Sequence, residues 1–468
     1  MSTSAPTPPT RRDRVHEDGL PHPRRWLAAA AIWLAIAMTV LDSSIANVAL
    51  PAIARGFGAA PSESIWIVNA YQLAIVTTLL PLASLGEKIG YRLVYRCGLT
   101  LFTVASLICA SSQSLPMLTI ARAIQGLGAA GVMSVNGALV RHIYPDTGLG
   151  RGIGLNAMVV SASSAVGPTV ASAILAIGPW QWLFAVNIPI GFAALALGWR
   201  TLPLNHLSGR RFDWLAAAMN AVTFGLVITG VDLVARTRAK LTGALELAGG
   251  AIVGTVLVLR ELGQPRPLVP VDLLRNPMFA LSVATSIASF TAQMLAFVAL
   301  PFHFENTLHQ SQVATGLLLT PWPVAVGAMA PVAGWLADRF PTAILCAIGL
   351  SGLCLGLIAL ATMGPGASAF DIGWRMVLCG AGFGVFQSPN NRMMLTAAPR
   401  ERSGAAGGML GTARLTGQTF GAVLTAIFLH FFGDPGEVIG LGVAAGFAAL
   451  AALVSLSRTM VRPAATAA

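Results

Sequence analysis

Residues Trp26 to Pro51 read WLAAAAIWLAIAMTVLDSSIANVALP, an almost unbroken apolar run in which one side chain, Asp42, is ionisable. About twenty predominantly apolar residues span the hydrocarbon of a bilayer, so this segment is expected to cross a membrane as a helix. An ionised carboxylate at that depth is costly and is kept where it faces a partner or a wet cavity. Asp42 therefore supports two readings. It could take up and release a proton, or it could hold neighbouring helices together by hydrogen bonds.

The same pattern repeats along the chain. Apolar runs fall at 26–50, 65–86, 94–112, 117–139, 153–177, 182–199, 214–235, 242–259, 279–304, 312–337, 342–363, 372–391, 403–431 and 436–457, which predicts fourteen spans. The eighth is the weakest because Glu246 lies inside it. Only 10% of the 468 residues are charged, whereas soluble domains carry about 25%. A surface this apolar needs lipid around it. The net charge of +11 does not point to nucleic acid, because the basic residues form short clusters between apolar runs, as at Arg210-Arg211 and Arg400 to Arg402. If the N-terminal tail is cytoplasmic, nearly all of them fall in loops on that side, leaving Arg55, Arg236, Arg238 and Lys240 outside. By the positive-inside rule both termini are then cytoplasmic.

Several chemistries find no support in the sequence. The cysteines Cys97, Cys109, Cys346, Cys354 and Cys379 lie in or beside apolar runs, at spacings that fit neither a disulfide framework nor a zinc site. The GxGxxG at Gly126 to Gly131 lies within an apolar run rather than after a strand, which suits close helix packing better than a dinucleotide. No metal, cofactor, enzymatic activity or nucleic-acid partner is expected. Residues 1–25 read as a disordered basic tail, and a cleavable signal peptide is not expected.

Six segments, in order, resemble one family. Leu41-Asp42-Ser43-Ser44-Ile45-Ala46-Asn47-Val48-Ala49-Leu50-Pro51 is similar to the first-helix signature of fourteen-helix drug:proton antiporters of the major facilitator superfamily. Leu85-Gly86-Glu87-Lys88-Ile89-Gly90-Tyr91-Arg92 resembles that family's loop motif between helices two and three, with Glu87 where aspartate is usual and Ala83 in place of the first glycine. Arg122 to Gly128 resembles the fourth-helix motif, Gly167-Pro168 the antiporter motif of helix five, and Trp180 to Gly191 the block opening helix six. Gly334-Trp335-Leu336-Ala337-Asp338-Arg339 is a weaker copy of the loop motif.

The resemblance implies an all-α membrane protein of the major facilitator fold: a six-helix bundle over 26–199, a linker over 200–275 carrying helices seven and eight, a second bundle over 276–457, and a short tail at 458–468. It implies proton coupling through Asp42 and Arg122, and gating through Glu87, Gly90, Arg92, Gly167, Pro168, Asp338 and Arg339. Arg122 could equally be a fixed brace, and the role of Arg414, a second intramembrane cation, stays open beside those of Asp232, Glu246 and Glu305. The substrate cavity is expected to draw on Asn47, Trp66, Asn69, Gln125, Trp322, Gln387, Asn390, Asn391 and Gln418, although interhelical bonding or interface anchoring would explain any one of them. The function implied is proton-driven export of small hydrophobic or cationic compounds across a bacterial inner membrane. The chain would act as a monomer, with a periplasmic adaptor left open. An uptake permease of the same fold and a membrane-embedded enzyme are the rival readings.

Overall fold

A computed structural model describes residues 19–145, 149–204, 207, 212–236, 240–264, 267–337, 339–364, 366–398, 403–433 and 435–460. Most of the expected tails (1–18 and 461–468) and Asp338 lie outside the described residues. Every regular element among them is helical. Fourteen helices are long and apolar enough to cross a membrane: α1 (Arg24–Phe57), α2 (Pro61–Ile89), α3 (Tyr91–Ala110), α4 (Leu115–Ile143), α5 (Leu149–Ile177), α6 (Trp182–Thr201), α7 (Trp214–Arg236), α8 (Lys240–Leu262), α9 (Pro277–Thr307), α10 (Gln312–Ala337), α11 (Thr342–Ala361), α12 (Ala369–Ala397), α13 (Ser403–Phe432) and α14 (Pro435–Met460). The eighth expected span is present, and Glu246 within it accepts a hydrogen bond from Thr229 of α7 at 2.6 Å.

Helices dominate because hydrocarbon offers the backbone no hydrogen-bond partner, so each segment must satisfy its own. Neighbouring helices make internal prolines tolerable, and α1, α2, α5, α9, α10 and α12 carry Pro51, Pro81, Pro168, Pro301, Pro331 and Pro389.

The packing order repeats after eight helices. In the first bundle α1 packs on α5 and α6, α2 on α4, and α3 on α4 and α6; in the second, α9 packs on α13 and α14, α10 on α12, and α11 on α12 and α14. Helices α7 and α8 pair with each other, and α7 rests on α2 and α13, one helix from each bundle. Asn220 of α7 donates to the Thr77 carbonyl of α2 at 2.7 Å, which pins this hairpin to the first bundle.

Glycine sets the helix spacing at matching places in the two bundles. A Cβ on Gly128 of α4 would lie 2.4 Å from the Phe102 nitrogen of α3, and one on Gly382 of α12 would lie 2.4 Å from the Leu353 nitrogen of α11. The GxGxxG thus serves helix packing. Gly90, at the α2–α3 turn, has φ +107°, a conformation open to glycine and strained for other residues.

An even number of spans places residues 19 and 460 at one end of the bundle, here called the terminal end, opposite a distal end. Toward the distal end one apolar core runs through both bundles, joining Val48 and Leu50 of α1 to Leu295 and Phe302 of α9 and Trp322 of α10. Arg55 and Glu305 close that end with a 2.6 Å ion pair. His303 is buried there, its Nδ1 3.1 Å from Glu437. Toward the terminal end the core divides. One cluster holds Ile32, Tyr95 and Val132, the other Phe279, Met394 and Met409. The structure is therefore closed at the distal end, whereas toward the terminal end the bundles meet along α2 and α13, where Leu415 joins the first cluster.

Gly128→Ala should lower the melting temperature of detergent-purified protein by several degrees, since overpacking a tight contact costs about 1–3 kcal/mol. Gly137→Ala, on the same helix with nothing within 4 Å of the added carbon, should leave it unchanged. Equal melting temperatures for the two variants would contradict the close α3–α4 contact.

Candidate functional site

Asp42 sits midway along α1 with its side chain 1% exposed, and Arg122 of α4 is fully buried against it. Arg122 Nη1 donates to Asp42 Oδ2 at 2.5 Å. Two amides complete the shell of the carboxylate: Asn187 Nδ2 of α6 donates to Oδ1 at 2.7 Å, and Gln125 Nε2 of α4 donates to it at 3.0 Å. Gln125 is fixed in turn by a 2.6 Å bond from Arg122 Nη1 and by donating to Ser106 of α3 at 2.8 Å. Arg122 Nε donates to the Ile67 carbonyl of α2 at 3.3 Å, and the guanidinium lies 4.1 Å from the Tyr71 ring centroid. The cluster thus ties together α1, α2, α3, α4 and α6. One donor, Arg122 Nη2, is buried without an acceptor among the described residues.

The position of the pair follows from the sequence around it. Small residues along α1 let α5 and α6 approach, and a Cβ on Gly167 of α5 would lie 2.4 Å from Ser44 Oγ. Asp42 therefore points away from α5 toward the partners of α4 and α6. Gly126 of α4 abuts the Tyr71 carbonyl of α2, where a Cβ would lie 2.5 Å away, and this approach brings the Tyr71 ring over Arg122.

A central cavity opens on the other face of α1. The first bundle supplies mainly small polar groups, among them Thr39, Ser43, Ser44, Asn47 and Gln72, together with Tyr71. The second supplies the aromatic residues Phe290, Phe297, Trp322 and Phe383, with Gln293, Gln387, Gln418 and Arg414. Tyr71 belongs to both sites. Its ring lines the cavity and stacks on Arg122, and its hydroxyl donates to the Thr39 carbonyl at 3.3 Å.

Of the expected cavity residues, Asn47, Trp322, Gln387 and Gln418 line it, and five do not. Gln125 is consumed by the Asp42–Arg122 cluster. Asn69 is fully buried within α2, neither amide atom partnered among the described residues. Asn390 brackets α12 to α9 by donating to Ser286 at 2.8 Å. Trp66 and Asn391 are half-buried away from the cavity. The sequence reading missed Tyr71, Gln72, Gln293 and the phenylalanines, because a polar or aromatic residue in an apolar run carries no mark of the direction it faces. Asn187 stood in the block quoted for helix six, and only the fold shows it reaching Asp42.

Of the expected gating residues, Glu87 and Arg339 are exposed, whereas Gly90, Gly167 and Pro168 are buried. Glu87 is exposed and forms no ion pair among the described residues. Arg92 and Arg96 both donate to the Trp199 carbonyl at the end of α6. Arg339 is exposed and stacks 3.8 Å from the centroid of Trp335. Pro168 lies within α5, which continues through it. No group of three or more His, Cys, Asp or Glu side chains able to hold a metal occurs among the described residues.

The Major Facilitator Superfamily model matches residues 32–422. The transporter YebQ of Escherichia coli strain K12 is 53% identical over 444 residues, covering 94% of this chain and 97% of YebQ. The riboflavin transporter RibZ of Clostridioides difficile is 30% identical, covering 87% of this chain and 88% of RibZ. The multidrug resistance protein Stp of Mycobacterium tuberculosis is 31% identical, covering 86% of this chain and 75% of Stp.

Removing one partner of a buried ion pair strands the other and costs about 3–5 kcal/mol. Asp42→Asn should therefore lower stability sharply, and adding Arg122→Gln should recover most of the loss. Thermal unfolding in detergent tests this, and additive losses in the double variant would show that the two side chains do not interact.

Proposed function

This chain belongs to the Major Facilitator Superfamily, and from that premise we propose that it is an antiporter that exports small, largely apolar compounds in exchange for protons. The observation that carries the proposal is the Asp42–Arg122 pair, one ring away from a cavity lined by both bundles. That Stp is named a multidrug resistance protein supports export. The charge asymmetry of the loops supports a bacterial cytoplasmic membrane with the terminal end inside, which makes the structure an inward-facing one.

The cycle follows from what the pair requires. Arg122 cannot give up its proton, so its attraction to Asp42 is switched by the acid alone. While Asp42 is ionised, the pair binds α4 to α1. When Asp42 takes a proton arriving from the distal side, the ionic part of that bond is lost. Arg122 then shifts against Tyr71, and the cavity wall shifts with it. Cargo bound from the terminal end and a proton bound from the distal end are thereby set in competition. Opening the distal end requires that the Arg55–Glu305 bridge separate and that the shared apolar core part, while closing the terminal end brings Glu87 and Arg339 out of water. The two bundles rock about the fixed site.

Inverted membrane vesicles acidified inside should accumulate the neutral dye N-phenyl-1-naphthylamine and lose it on addition of an uncoupler. The Asp42→Asn/Arg122→Gln variant, folded but without the acid, should bind the dye and fail to concentrate it. Uphill accumulation by that variant would remove the pair from coupling. Cysteines introduced at Ser2 and Ala468 should react with an impermeant maleimide from the cytoplasmic face alone; labelling from the other face would reverse the assigned orientation.

A further inference from the structure

Arg414 lies eleven residues into α13, about 17 Å along the axis from its start at 1.5 Å per residue, too deep for its head group to reach a membrane surface. It lines the cavity, its Nε is buried without an acceptor, and it makes no hydrogen bond or ion pair among the described residues. No aspartate, glutamate, lysine or histidine lines the cavity with it. Asp42, the acid of the neighbouring buried cluster, has both its oxygens engaged by Arg122, Asn187 and Gln125. Arg414 is half-buried in a cavity whose second-bundle wall also carries Phe290, Phe297, Phe383 and Trp322, and this permanent cation has no counter-ion among the described residues. Burial of that kind persists where a partner arrives from outside.

A second observation points the same way. The indole Nε1 of Trp322 is buried without an acceptor although the residue lines the cavity. The second bundle thus holds two unsatisfied donors, one charged and one neutral, on residues that line the cavity beside aromatic side chains. Such a wall repels organic cations and matches a flat apolar body bearing an acceptor group.

We infer that the cargo is an aromatic or amphipathic organic acid whose carboxylate, or a similar monoanion, docks on Arg414 while its apolar body lies against the second bundle. This narrows the export reading above and rests on it. It also departs from the cationic cargo implied by the resemblance, for which the cavity provides no acidic side chain. The charge balance is consistent with export. One proton moving in against one monoanion moving out carries two positive charges inward, so an inside-negative membrane potential drives both steps.

The test uses full-length protein in lipid nanodiscs and three probes of similar shape: 1-naphthylacetate, 1-naphthylacetamide and 2-(1-naphthyl)ethylammonium. Calorimetric titration of the wild type should rank acetate above acetamide by about tenfold or more, the gain of a hydrogen bond to a charged group, with the ammonium weakest. Arg414→Gln should remove the advantage of the acetate while leaving acetamide affinity nearly unchanged, which also reports that the cavity is intact. Arg414→Lys should keep part of the advantage. An acetamide or ammonium probe that binds wild type as tightly as the acetate, or an Arg414→Gln variant that keeps the acetate preference, would overturn the inference. Binding needs no gradient, so an acetate preference in a protein that fails to concentrate any probe would refute antiport and leave the cargo assignment standing.

Discussion

Arg122 cannot shed its charge, so in the middle of a membrane it must hold an acceptor, and Asp42 supplies one at 2.5 Å. That single requirement orders much of the first bundle. Asp42 accepts from two further donors, Gln125 and Asn187, which α4 and α6 bring to it. Gln125 needs an anchor, and α3 supplies Ser106. Tyr71 covers the guanidinium face, which fixes α2. Each helix reaches the cluster because glycine or another small residue lets its neighbour come close. The same interaction is strong only while the acid is charged. A buried pair of this kind gives little net stability; under the proposed antiport its value would lie in the dependence of its strength on one proton.

The rest of the molecule divides along that pair. On its distal side the two bundles share one apolar core and a salt bridge; toward the terminal end there are two clusters, the first of which also takes in Leu415 of α13. The cavity lies at the fork, with a polar wall on the bundle that carries the pair and an aromatic wall with an unpaired cation on the other. Tyr71 stands between the cavity and the pair, lining the cavity with its ring and stacking on Arg122.

Much of this architecture was legible in the chain. Runs of about twenty apolar residues give the spans, and the isolated Asp42 and Arg122 stood out because a charge inside such a run needs a reason. That the two meet was not legible, since eighty residues separate them and no local pattern encodes the contact. The direction of uncharged polar residues was equally hidden. Asn69 and Asn390 resemble Asn47 in composition and context, yet only Asn47 faces the cavity. Helical period does not separate them, because a helix buried on several sides has no single wet face. The same limit left open which way Arg414 faces, and the fold places it in the cavity wall.

The central claim is that Asp42 changes protonation state within the working pH range and that Arg122 responds to it. Infrared difference spectroscopy on the protein in lipid, between acidic and neutral pH, reads the carboxyl group directly. A protonated-carboxyl carbonyl band should appear on acidification of the wild type and be missing in the Asp42→Asn/Arg122→Gln variant. A wild type whose Asp42 stays ionised throughout the pH range in which it transports would contradict the account.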